Sequence, residues 1–240
     1  MTGMIADRSR WTWTLPREVI PRAALLWCWA LVSLTELGCR GVRKGDFVLG
    51  KAYVPENFHR QAPRLPENCR RVAVLPLTCN ISQSEAATAS EVLEPIVLEE
   101  IGKTKRFEVL PVPPEKLRQW TGRLSWAAED TLPAVFFDTL RRELACDAVL
   151  FVRVTQFQAY PPLAIGWRFK LVDCKNSEAI WSIDEVFDAA NTSVVNAARI
   201  YQQRLEPPIS HLAASDGILV SPRRFARYSA DAVLSTLPAR

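Results

Sequence analysis

Six cysteines and two histidines are the side chains here most able to do chemistry. Cys39 closes the run Leu34-Thr35-Glu36-Leu37-Gly38-Cys39. An uncharged stretch, Ala23 to Thr35, precedes it, and Arg8, Arg10, Arg17 and Arg22 precede that. A basic start, a short apolar run and a small residue before the cut are the parts of a secretory signal. The run falls short of the ~20 apolar residues a spanning helix needs. A cysteine directly after Gly38 gives the lipoprotein form, in which the thiol takes a diacylglycerol before cleavage. Residues 1–38 are therefore expected to be a signal peptide and Cys39 the lipidation site. Glu36 stands where such signals usually carry an aliphatic residue, and a carboxylate there costs desolvation. The alternative is an ordinary export signal with Cys39 incidental.

Cys28 leaves with the signal and Cys39 is lipidated on this reading, so Cys69, Cys79, Cys146 and Cys174 remain, with three full pairings open to them. An oxidising compartment permits disulfides. Pairing Phe157 with Leu163 across a hairpin turn sets a register that places Cys146 opposite Cys174. Opposed positions sit about 4.5–5.5 Å apart at Cα, within disulfide reach. A Cys146–Cys174 bond is expected; the alternative is two reduced thiols packed as small apolar groups. Cys69 and Cys79 flank the first strand, which puts them at its opposite ends.

His59 falls in a linker-like segment and His211 in a loop, and no CxxC occurs, so no metal site is expected. There is no GxSxG and no P-loop, so no catalytic residue, cofactor or small-molecule substrate is assigned. Acidic pairs such as Glu99-Glu100 and Asp184-Glu185 read as solvated faces. Arg223, Arg224 and Arg227 crowd the first turns of the last helix, where positive charge opposes the helix dipole. They are a candidate docking patch for an acidic partner or a phospholipid head group, unless Asp or Glu pairs with them internally.

The elements that hold these residues follow from periodicity. Arg71–Leu77 is a short apolar run ending at proline, a buried strand. Ser82 and Glu85 have capping-box spacing and open a helix to about Ile101, with Pro95 predicting a kink or a later start. Phe107–Pro111 is a second strand. A helix is expected over Leu132–Ala145, then a strand over Ala148–Phe157. Leu163–Leu171 and Ala179–Phe187 alternate apolar and polar, as strands with one buried face do. Helices are expected over Ser193–Leu205 and from Ser221-Pro222 onward. The order β-α-β-α-β-β-β-α-α gives an α/β fold with a mixed sheet of about five strands packed with helices. Residues 39–70 read as the lipidated N-terminus and a proline-bearing tether, and 71–240 as one globular domain.

Several of these runs resemble family motifs. Val72-Ala73-Val74-Leu75-Pro76 is similar to the "VAVLPF" first strand of TolB N-terminal domains and CsgG-like lipoproteins. Lys105-Arg106-Phe107-Glu108-Val109-Leu110 is similar to their "GRFEVL", with Lys105 replacing glycine. Cys146-Asp147-Ala148-Val149-Leu150 resembles "GADAVL", with Cys146 replacing glycine. Leu171–Trp181 resembles "LVDARTGEVLW". The resemblance covers about residues 70–190 and implies a TolB N-terminal-like, LpoB-type fold. It also implies a non-enzymatic envelope protein that binds envelope partners or forms a homo-oligomer. The second reading is an oligomeric outer-membrane secretion or transport component, and the third an unrecognised periplasmic enzyme. No long amphipathic insertion suggests a transmembrane hairpin.

Composition agrees with a globular domain: 48% hydrophobic and 23% charged, net charge +4. Residues 1–38 hold four arginines and three acidic residues, so their loss leaves about +3, too mild a charge to argue for nucleic acid. The expected place is the bacterial envelope, lipid-anchored and facing the periplasm. Arg40 after the cysteine, in place of an aspartate retention signal, favours the outer membrane.

Overall fold

The computed structural model describes residues 50–205 and 217–240. The expected signal peptide, Cys39 and His211 lie outside the described residues. In chain order the elements are β1 (Phe58–Arg60), β2 (Arg71–Val74), β3 (Thr78–Cys79), α1 (Gln83–Thr104), β4 (Glu108–Pro111), α2 (Pro114–Thr121) and α3 (Phe136–Leu144). Then follow β5 (Ala148–Gln158), β6 (Ala164–Asp173), β7 (Ala179–Asp188), α4 (Thr192–Leu205), α5 (Gly217–Val220) and α6 (Pro222–Ser235).

The strands form one mixed sheet in the order β1-β7-β6-β5-β2-β4, with β3 also on β5. β2 runs parallel to β4 and β5, and β3 parallel to β5. β5-β6-β7 is an antiparallel meander, and β1 adds antiparallel to β7. The five expected strands are all present, and β1 and β3 are two short additions.

Alternation along the strands sends side chains to two cores. On one face Val72, Val74, Leu150, Trp167, Phe169 and Trp181 pack with Leu93 and Val97 of α1 and with Phe225 and Val233 of α6. On the other, Ala73, Leu75, Val149 and Phe151 pack with Leu117 of α2 and Phe136 and Leu140 of α3. The large indoles need polar partners when buried. Trp167 Nε1 donates to Ser229 Oγ at 2.8 Å and Trp181 Nε1 to Thr236 Oγ1 at 3.1 Å, both hydroxyls on or beside α6.

α1 runs unbroken through Pro95. Pro95 is exposed, so the carbonyl that loses its N–H partner faces water and the loss is small there. The helix passes Gly102 and stops at Thr104, with Lys105 taking the left-handed conformation, φ 52°. Lys105 thus does the backbone work of the glycine it replaces in the motif. α3 starts four residues later than expected, because Pro133 opens a turn closed by the Phe136 N–H to the Pro133 carbonyl, 2.9 Å. α6 begins as read, with Ser221 Oγ accepting from the Arg224 N–H and Pro222 in the first turn.

Part of the expected tether lies against the sheet. β1 pairs Phe58, His59 and Arg60 with Ile183, Ser182 and Trp181. The Glu185 carboxylate accepts from the Glu56 and Asn57 N–H groups at 2.8 and 2.7 Å and from the Tyr53 hydroxyl. Leu65 and Cys69 are buried. Arg240 Nη1 donates to the Cys69 carbonyl at 2.6 Å, tying the last residue to the segment just before β2. No helix among the described residues is long and apolar enough to cross a membrane.

Candidate functional site

The connections around β2 create a crevice. β2 leads through α1 to β4 on one side; β4 leads through α2 and α3 to β5 on the other, with the helices on opposite faces. Ligands of open α/β sheets bind beyond the strand carboxyl ends at such a switch point. Here the space is a cleft of about 490 Å³ lined by Thr78, Cys79 and the first turns of α1, by Arg153 on the neighbouring strand, and by Arg123 and Asp130.

The cleft is poorly equipped for catalysis. Among the described residues Cys79 is its one thiol, with Sγ 3.5 Å from Ser90 Oγ and 3.8 Å from the Ala86 carbonyl oxygen. Burial pushes this thiol up, more than the Ser90 contact lowers it. A nucleophilic cysteine needs the opposite shift and an adjacent base, and among the described residues no histidine lines the cleft.

A charge ladder fastens the cleft's outer wall to the sheet. Arg153 on β5 stands directly opposite Arg168 on β6, a like-charged pair that is unfavourable by itself. Glu129 bridges them: Oε2 lies 2.9 Å from Arg153 Nη1 and Oε1 2.9 Å from Arg168 Nη1. Asp184, opposite Arg168 on β7, accepts from Arg168 Nε at 2.8 Å. Burial opposes ionisation of Glu129, but hydrogen bonds from Arg168 and Arg153 outweigh it and hold the carboxyl below its ordinary range. Next to it, Arg123 lies 4.3 Å over the Trp126 ring and 3.4 Å from Asp130. Trp126 Nε1 donates to Thr121 Oγ1 at 2.8 Å.

Beyond the ladder the sheet loses its helix cover. One cross-strand row runs Phe151, Lys170, Ser182, His59. Phe151 is buried beside Phe136, Lys170 and Ser182 are half-buried, and His59 is exposed. This face holds a shallow depression of about 330 Å³ bounded by Asn57, Glu129, Arg168 and Asp184. His59 lies in a strand, not a tether. Among the described residues no group of three or more His, Cys, Asp or Glu is placed to hold a metal.

The remaining candidates sit apart. Cys146 and Cys174 are both buried under α3, with Sγ atoms 3.9 Å apart and unbonded. The expected register is not the one observed. Phe157 pairs with Ile165, not Leu163, and a bulge at Thr155 shifts the ladder, so that Ala148 faces Asp173. Asp147 then stands across from Cys174, whose N–H donates to the Asp147 carbonyl at 2.9 Å. Cys146 still reaches Cys174 because the chain leaves α3 through Ala145 at φ 49°. Cys69 is buried in the opposite core and its thiol is pushed up to about 11, chiefly by burial. Arg223 and Arg224 are exposed on the first turn of α6, while Arg227 turns onto α1, with Nη2 3.3 Å from Glu99 Oε2. α2, the ladder and β1 were not read from sequence. Pro113-Pro114-Glu115 and Gly122 (φ 86°) are start and stop signals that would have found α2.

No family model matches the chain, and no curated protein matches it. Among solved structures it is similar to a PelC dodecamer from Paraburkholderia phytofirmans, at 16% identity and TM-score 0.44, over 77% of this chain and 99% of that one. It is similar to lipoprotein GNA1162 from Neisseria meningitidis, at 20% identity and TM-score 0.34, over 49% of this chain and 79% of that one. It is also similar to the LpoB C-terminal domain from Salmonella enterica, at 18% identity and TM-score 0.32, over 49% and 82%.

Proposed function

We propose that this chain is a non-enzymatic, lipid-anchored envelope protein, held to the membrane through Cys39 and facing the periplasm, whose domain docks another envelope protein. The observation that carries the docking role is the uncovered face of β6, β7 and β1, polar and fixed in shape by the Glu129–Arg168–Asp184 ladder. A rigid polar sheet face suits recognition of a protein surface. The unactivated Cys79 in the cleft speaks against nucleophilic catalysis. Arg223 and Arg224 are a second, smaller contact for acidic groups.

The anchor is tested by growing cells with a labelled fatty acid. Label is expected on the wild-type chain and absent from Cys39→Ser; an unlabelled wild type overturns the anchor and leaves an exported domain. Docking is tested by crosslinking in intact envelopes and capture of the full chain, with Lys170→Glu and the Arg223→Glu/Arg224→Glu pair as separate variants. Light scattering on the purified chain distinguishes an adaptor, expected as a monomer, from a ring of identical copies. Unchanged crosslinks in Lys170→Glu would remove the sheet face from the proposal.

A further inference from the structure

We propose that Cys146 and Cys174 are joined in the mature protein by a disulfide that staples the start of β5 to the end of β6. The two residues are 28 apart in sequence, yet their Sγ atoms lie 3.9 Å apart. Their backbones are already held together, by the Cys174 N–H to the Asp147 carbonyl and by the Ala148–Asp173 pair. Neither other described cysteine competes: Cys69 is in the core across the sheet, and Cys79 faces the cleft.

The two thiols lie within reach of one hydrogen bond, so each helps the other to ionise. One thiolate of the pair attacks one sulfur of a donor disulfide, of the dithiol oxidoreductase or glutathione class, and the donor's other sulfur leaves as thiolate. The second cysteine then gives its proton to solvent and its sulfur attacks the first cysteine's Sγ, releasing the donor's second sulfur. Two protein thiols become one disulfide while the donor disulfide becomes two thiols, so two electrons pass to the donor. Both residues are 3% exposed. Oxidation therefore belongs to folding, when the β5–β6 hairpin has met but the α2–α3 layer has not closed over it. Once formed, the bond is shielded from reductants.

The test is peptide mapping of the full chain after incubation with oxidised glutathione during refolding, with thiols alkylated in denaturant. A cross-link between the tryptic peptides Glu143–Arg153 and Leu171–Lys175 is expected, two hydrogen masses below the reduced pair. Reduction should be slow in native buffer and fast in denaturant. Removing a cross-link of this span should lower Tm by about 7–14 °C. The Cys146→Ala/Cys174→Ala variant should melt identically with and without reductant. Complete alkylation of Cys146 and Cys174 overturns the proposal, as does an equal response to reductant in wild type and the double variant. The mapping needs no variant, so it decides the matter even if the variant does not fold.

Discussion

The two halves of the sheet solve different problems. β4, β2 and the first half of β5 are parallel and sheathed on both faces; β6, β7 and β1 are antiparallel and sheathed on one. Parallel strands reached through crossover helices acquire cover on both sides, whereas a meander needs none. β5 belongs to both halves and changes character along its length. Ala148–Val152 is buried throughout, and from Arg153 onward buried and open side chains begin to alternate. Arg153 marks the edge of the helix cover, and the Glu129 clamp sits on that edge. The scaffold of stability and the surface open to a partner therefore meet at one residue.

The sharpest way to break this division is to strike the covered face of the open half. Trp167 is fully buried, meets Phe169 edge-to-face at 5.6 Å and donates to Ser229. Trp167→Ala leaves a cavity and takes a partner from a buried hydroxyl, and should cost about 3–5 kcal/mol. Phe136→Ala under the other layer should cost a similar amount. Urea denaturation of both variants checks the pair. A mild Trp167→Ala would mean that the antiparallel half contributes little to global stability.

Next comes the bulge that shifts the register. A Cβ added to Gly166 would lie 2.3 Å from Thr155 Oγ1 and 3.0 Å from the Gln156 backbone nitrogen. The bulged chain leans onto Gly166, so Gly166→Ala should destabilise by about 1–3 kcal/mol. Thr155→Ala should restore only part of the loss, because the backbone contact remains. Thermal melts of the single and double variants measure this.

The two halves also differed in how far their sequences disclosed them. β6 and β7 were legible because Ile165, Trp167 and Phe169 alternate with Gly166 and Arg168. α6 was legible from Ser221-Pro222. The register was not, since Thr155 looks like any strand residue and only its crowding onto Gly166 betrays the bulge. β1 was missed because three exposed residues carry no alternation and owe their place to β7. The ladder joins residues 129, 153, 168 and 184, and nothing local in the sequence couples them. The two thiols lie 3.9 Å apart, although the register used to pair them is not the one observed. The left-handed turn at Ala145 brought Cys146 to Cys174 instead.

A smaller effect tests the seam itself. Glu129 ionises more readily in the folded chain than its ordinary value of 4.5. It therefore stabilises the fold above that pH, and the contribution is lost as pH falls through the lower folded value. The side chain is 42% exposed, so solvent screening keeps the worth of the clamp below about 1 kcal/mol. Glu129→Gln should lower Tm slightly at pH 7, and the difference from wild type should fade toward pH 3. Melts across that range check it, and a difference that persists at pH 3 would mean the glutamine disrupts packing instead of removing charge.

The smallest effect on stability should come from Lys170, on the same row as Phe151 but past the edge of the cover. Lys170→Glu should change stability by no more than about 0.5 kcal/mol. The same substitution should weaken crosslinking to a docked partner, because it reverses charge in the middle of the open face. The two readouts separate the halves cleanly. A row position that supported the core would lose stability first and binding second. Lys170 should do the reverse, and a loss above 1 kcal/mol would place it with Phe151 as scaffold.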